Sequence, residues 1–169
     1  MNNLRLTRLW PGLVGLFLLI SPLTSTATII RLQTTLGVID IKLHDETAPR
    51  TVANFFEYLK SNAYDRSFFH RTIPGFIIQG GGYVWNQTTN AVNTIAKLSP
   101  VDNEFSVTRS NVRGTIAMAK LPDKPNSATS EWFINLADNS ADLNKQNEGF
   151  TVFGQVLGNG MQVADAIAA

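Results

Sequence analysis

The chain has 169 residues, enough to bury one substantial core and to be read as a single domain. Its 14 Lys+Arg and 13 Asp+Glu leave a formal net charge of +1, and the basic residues are scattered, which excludes the basic patch that nucleic-acid binding needs. There is no cysteine and the only histidines are His44 and His70, so disulfides, thiolate chemistry and the usual zinc ligand sets are excluded, and no metal or cofactor is expected.

Residues 1–27 read as a secretory signal peptide. Arg5 and Arg8 precede an apolar run from Leu9 to Ile20, and Ser25, Thr26 and Ala27 supply a small-residue cleavage point. An uncleaved membrane anchor is the alternative, disfavoured because the run is shorter than the ~20 residues a span requires. The expected location is periplasmic, with the membrane touched only through this segment. Removing Arg5 and Arg8 from the 14 basic residues leaves 12 against 13 acidic ones, a formal charge of about −1 for residues 28–169.

The domain opens with Ile29, Ile30 and Leu32. After Thr34-Thr35-Leu36-Gly37, the residues Ile39, Ile41 and Leu43 alternate with Val38, Asp40 and Lys42. This pattern predicts a hairpin whose second strand turns one face to the core. A helix is predicted next, capped by Thr47, with Pro49 in its first turn and Val52, Phe55, Phe56 and Leu59 on one stripe up to Ser61. Short apolar segments follow at Ser67–Arg71, Phe76–Gln79, Thr115–Ala119, Trp132–Leu136 and Phe150–Val156, the pattern of a β-barrel or sandwich. Gly82–Glu104 and Leu121–Thr129 are polar, read as surface loops of the kind that shape binding sites. Gly160–Ala169 predicts a second helix with Met161, Val163, Ala164 and Ile167 on its apolar side.

Taken singly, the candidate residues have ordinary readings. An arginine such as Arg71 in a strand is usually a surface or ion-paired residue, and Phe76, Ile77 and Phe133 are more often core than ligand contacts. Gly80-Gly81-Gly82 lacks the following Lys-Ser/Thr and helix of a phosphate cradle and reads as a strand end. Asn86-Gln87-Thr88 is a formal glycosylation triplet that reads as loop.

Four blocks change this. FHRTIPGFIIQGG (Phe69–Gly81), RGTIAMAK (Arg113–Lys120), NSATSEWFINLAD (Asn126–Asp138) and GFTVFGQV (Gly149–Val156) resemble, in order and spacing, the cyclophilin family over nearly all of residues 28–169. The resemblance implies a mainly β fold, a closed eight-stranded antiparallel β-barrel capped by two α-helices, with a proline-binding groove on its outer surface. It implies a peptidyl-prolyl cis/trans isomerase in which Arg71 is catalytic. Phe76, Ile77, Phe133 and Leu143 would line the proline pocket, and Gln79, Ala119 and Lys120 would hold the peptide backbone. Phe150 joins the groove at a position where relatives often carry histidine or tyrosine, Glu131 stands where glutamine is frequent, and Asp142 falls near a position commonly aromatic. His70 is read as a support for the site, since isomerisation transfers no obligatory proton.

The expected partners are proline-containing segments of unfolded or folding exported proteins, bound by a monomer. The rival reading is a barrel that binds proline segments without accelerating their isomerisation; a structural domain of an envelope assembly is a third. Relatives usually continue beyond the second helix with a strand that closes the barrel, whereas this chain stops at Ala169, so an open edge beside Ile29–Leu32 is expected.

Overall fold

Alternating burial along the second strand organises the domain. In the computed structural model, which describes residues 27–169, strands β1 (Ile29–Thr34) and β2 (Gly37–Leu43) form the expected hairpin. Ile39, Ile41 and Leu43 are fully buried, at 0, 0 and 1 % exposure, as the period of two requires. The segment read as a signal peptide lies, apart from Ala27, outside the described residues.

Helix α1 (Pro49–Lys60) follows and buries Val52, Phe55 and Tyr58, with Phe56 and Leu59 partly buried beside them. Its N-terminus corrects one expectation. Thr47 does not cap it; the N-cap position is Ala48, without a capping side chain. The exposed amides are instead satisfied from far along the chain. Glu104 accepts from the backbone N–H of Arg50 at 3.2 Å, and from the backbone N–H and Oγ1 of Thr51, both at 2.7 Å. A carboxylate suits the positive end of the helix as well as the unpaired donors.

Strands β3 (Arg71–Ile73), β4 (Ile77–Gly80), β7 (Thr115–Met118), β8 (Trp132–Asn135) and β9 (Val152–Val156) complete an antiparallel sheet ordered β1-β2-β9-β7-β8-β4-β3. A separate hairpin, β5 (Tyr83–Asn86) with β6 (Ala91–Thr94), lies in the segment expected to be wholly loop. The strand expected over Ser67–Arg71 begins only at Arg71, Ser67 making an isolated bridge to Val84. Among the described residues three helices occur instead of two: α2 (Ser140–Leu143) is a single turn before a 3₁₀ turn at Gln146–Glu148, and α3 (Gly160–Ala168) is the expected second helix.

The fold is mainly β, with a curled sheet of the expected kind, but closure into an eight-stranded barrel is not observed among the described residues. The sheet has seven strands and two edges, β1 and β3, that do not pair with each other. Helix α3 crosses this opening, contacting β2, β3 and β4.

Both faces of the central strands are covered. Ile78, Ile116, Trp132, Ile134 and Phe153 point inward with Ile39, Ile41 and Phe55 into the main core, where the Phe55 and Phe153 rings lie 5.3 Å apart. Their neighbours Ile77, Ala117, Phe133 and Val152 point outward and are nevertheless buried, in a second cluster completed by Leu143. No helix among the described residues is long and apolar enough to cross a membrane.

Candidate active site

The outward cluster is built by register. Arg71 pairs with Gln79 across β3 and β4, Gln79 with Phe133 across β4 and β8, and Phe133 with Ala117 across β8 and β7. Directly paired residues in antiparallel strands share a face, so Arg71, Gln79, Phe133 and Ala117 form one row on the outside of the sheet. Three inter-strand steps of about 4.8 Å give this row a length of roughly 14 Å, that of a short extended peptide.

The turn beside Arg71 follows from local sequence. Phe76 N–H donates to the Ile73 carbonyl at 3.0 Å, closing a four-residue turn over Pro74 and Gly75. Gly75 has φ +71°, so Pro at the second position and Gly at the third give the pattern of a type II turn. The turn brings the Phe76 ring beneath the guanidinium of Arg71, whose carbon lies 5.9 Å from the ring centroid. The Arg71 side chain is exposed and makes no hydrogen bond or ion pair among the described residues, leaving its guanidinium N–H donors available to a ligand.

Next to this donor lies an outward-facing apolar cluster. Ile77, Phe133 and Leu143 are 3, 3 and 6 % exposed, and Phe76, Ala119 and Phe150 pack around them partly buried. Phe150 meets Phe133 edge to face, with centroids 5.7 Å apart. Every pocket residue named from sequence is therefore in this one cluster.

The polar residues divide. Gln79 donates from Nε2 to Glu131 Oε2 at 2.8 Å, and His70 Nε2 lies 3.4 Å from the same oxygen. His70 is thus beside the row, packed edge-on against Tyr83 at 4.9 Å. The Lys120 ammonium turns to the protein itself, donating to the carbonyls of Asn147 at 2.7 Å and Gly149 at 2.6 Å and lying 4.9 Å from the Phe150 ring centroid. Burial pushes its pKa down to about 8, against the opposing pull of Glu148. Asp142 is exposed on α2 and contributes no wall.

Sequence reasoning missed the support behind the apolar cluster. Asn135, fully buried, donates to Thr115 Oγ1 at 2.9 Å and Asn111 Oδ1 at 3.3 Å, and accepts from Asn139 Nδ2 at 2.8 Å. This network grips the backbone of two wall residues: Asn139 Nδ2 donates to the Phe76 carbonyl at 2.9 Å, and Asn111 Nδ2 to the Phe150 carbonyl at 3.0 Å. Such buried, fully connected amides fix geometry because breaking one leaves polar groups unpaired in a dry site. The only signal in the sequence was their presence within or near the motif blocks.

Comparison with known proteins agrees with the geometry. The family described as cyclophilin type peptidyl-prolyl cis-trans isomerase/CLD matches residues 29–169. A peptidyl-prolyl cis-trans isomerase of Acinetobacter baylyi is 43% identical over 152 residues, covering 89% of this chain and 77% of that protein. Peptidyl-prolyl cis-trans isomerase B of Escherichia coli is 40% identical over 143 residues, covering 82% of each. Among solved structures, a cyclophilin type peptidyl-prolyl cis-trans isomerase of Cryptosporidium parvum, determined in the presence of the dipeptide Ala-Pro, superposes with a TM-score of 0.65 at 23% identity. It covers 82% of this chain and 85% of its own.

Proposed function

The chain belongs to the cyclophilin-type peptidyl-prolyl cis-trans isomerases, and on that premise we propose that Arg71 catalyses rotation about X-Pro bonds of extended segments held on the row Arg71–Gln79–Phe133–Ala117. The single observation that carries the proposal is an exposed arginine whose guanidinium has no hydrogen-bond or ion-pair partner among the described residues, set beside an outward-facing apolar cluster.

The chemistry follows from the amide. Rotation meets a barrier of ~18–20 kcal/mol because conjugation is lost midway. In the twisted state the proline nitrogen becomes pyramidal and its lone pair localises, so a donor aimed at it stabilises that state more than the planar one. A guanidinium is always charged and offers a rigid fork of N–H groups, one for the nitrogen and others for the neighbouring carbonyl. Phe76, Ile77, Phe133 and Leu143 would hold the pyrrolidine ring and exclude water, fixing one side of the bond while the other turns. Gln79 would hold the peptide backbone, as would Ala119 and the backbone of Lys120, whose side chain is engaged elsewhere. Removing about 7 kcal/mol from the barrier corresponds to roughly 10⁵-fold acceleration, shared by one charge-assisted donor, positioning and desolvation. No bond is made or broken.

The natural substrates in this reading are folding proteins outside the cytoplasm. What supports it is the order Arg5, Arg8, the apolar run Leu9–Ile20 and Ser25-Thr26-Ala27 ahead of the domain. Two measurements test the proposal. The purified protein is expected to speed exchange in an X-Pro peptide, and a folded protein no faster than buffer would reject catalysis in favour of simple binding. Protein recovered from the cell envelope is expected to begin at Thr28; an intact Met1 there would reject cleavage.

A further inference from the structure

Glu131 sits on β8's approach, two residues before Phe133 and therefore on the same outer face, one strand pleat from the outward-facing apolar cluster. Its carboxylate is 27 % exposed and uses only Oε2 within the protein, toward Gln79 and His70; among the described residues Oε1 has no hydrogen-bond partner. The setting is shaped for it. A Cβ at Gly82 would come within 3.2 Å of Glu131 Cδ and 3.0 Å of His70 Cε1, so the glycine lets carboxylate and imidazole lie side by side at the groove's edge.

The charges around this edge are unequal. Arg71 lies two strands and about two residues away, roughly 12 Å by sheet geometry, and beyond a Debye length of ~8–10 Å its field at Glu131 is largely screened. The other nearby cation, Lys120, is turned to the carbonyls of Asn147 and Gly149. The groove thus carries a positive end at Arg71 and a separate negative edge at Glu131.

We infer that Glu131 is a specificity-determining residue, making this groove favour proline segments that carry a lysine or arginine within about three residues of the proline. The reach follows from about 6.7 Å between Glu131 and Phe133 plus the length of a basic side chain. The inference rests on the reading of this groove as the isomerase site. The carboxylate attracts a cation and repels an acid, so selection has both an attractive and a repulsive part.

The test uses peptides identical except for Lys, Ala or Glu at each position flanking a single proline, assayed for exchange and, in parallel, for binding. Wild-type protein is expected to favour Lys over Glu by at least about three-fold in kcat/KM at one flank at about 0.1 M salt, as partly exposed ion pairs do. The preference is expected to shrink in high salt and to collapse toward one in Glu131→Gln. Equal use of Lys and Glu at every position by wild type, a preference indifferent to salt, or one kept by Glu131→Gln would overturn the inference. The salt series needs no variant and decides the matter even if Glu131→Gln folds poorly. A protein that binds Lys peptides in preference to Glu peptides but accelerates none, the Ala peptide included, would reject the isomerase reading alone.

Discussion

Asn111, which has no exposed surface, donates from Nδ2 to the carbonyl of Phe150, so a buried amide fixes the backbone of an aromatic packed against the outward-facing apolar cluster. The same amide group donates to Asn144 Oδ1 at 3.1 Å, tying in the turn after α2. Asn111→Ala is expected to leave the Phe150 carbonyl without its donor and one Asn135 Nδ2 hydrogen without its acceptor, while Asn144 Oδ1 keeps the backbone N–H of residue 111, and to cost about 2–3 kcal/mol. Denaturant unfolding measures the loss. Because the apolar cluster around Phe150 loosens, KM is expected to rise more than kcat falls.

Glu104 supplies a second prediction, on acid stability. Burial opposes its ionisation, but hydrogen bonds from Thr51 and Arg50 outweigh this and hold the carboxyl below its ordinary 4.5. A folded-state pKa below the unfolded one contributes stability that is present above the unfolded pKa and is lost as pH falls through the folded one. The loss attributable to Glu104 is therefore confined to the acid side, beginning near pH 4.5. Glu104→Gln is expected to lose about 1–2 kcal/mol at neutral pH, as for a helix cap. Its melting temperature is expected to fall less steeply than wild type between pH 5 and 3.

Lys120 titrates at the other end of the scale. Its folded pKa of about 8 lies below the ordinary 10.5 because burial penalises the ammonium. The unfolded chain therefore binds more protons between these values, and this residue's contribution to stability grows as pH rises from about 8 to 10.5. Wild type is expected to gain stability relative to Lys120→Met across that window, which paired melting curves read directly. A constant difference would show that the ammonium is not buried.

How far the sequence carried the fold depended on what covers each strand. Strand β2 has one buried and one partly solvated face, so Ile39, Ile41 and Leu43 announced themselves by alternation. All four residues of β8, Trp132–Asn135, are buried, because the main core lies on one side and the second apolar cluster on the other. Such a strand has no period to read, and its two faces could be told apart only from pairing with distant strands. Helix α2 is one turn long, below the length at which helical spacing is visible. Thr47 was a reasonable local cap, but Glu104 reached the same amides across the fold.

The site was legible in a different way. Arg71, Phe76, Ile77, Phe133 and Leu143 carry no signal of function one by one, and only the ordered motif blocks brought them together. The structure adds the registers that align them and the asparagines that hold them. It also shows the Lys120 ammonium bound to the protein's own carbonyls, which the sequence did not indicate.

The central claim is that Arg71 lowers the rotation barrier from an exposed position on a sheet that does not depend on it. Exchange in a proline peptide by wild type, Arg71→Ala and Arg71→Lys, each checked for unchanged melting, tests this most directly. The expected result is acceleration by wild type, a loss of about 10²–10³-fold in Arg71→Ala, and incomplete rescue by lysine, which lacks the planar fork. An Arg71→Ala protein that folds normally and stays within a few-fold of wild type would contradict the account.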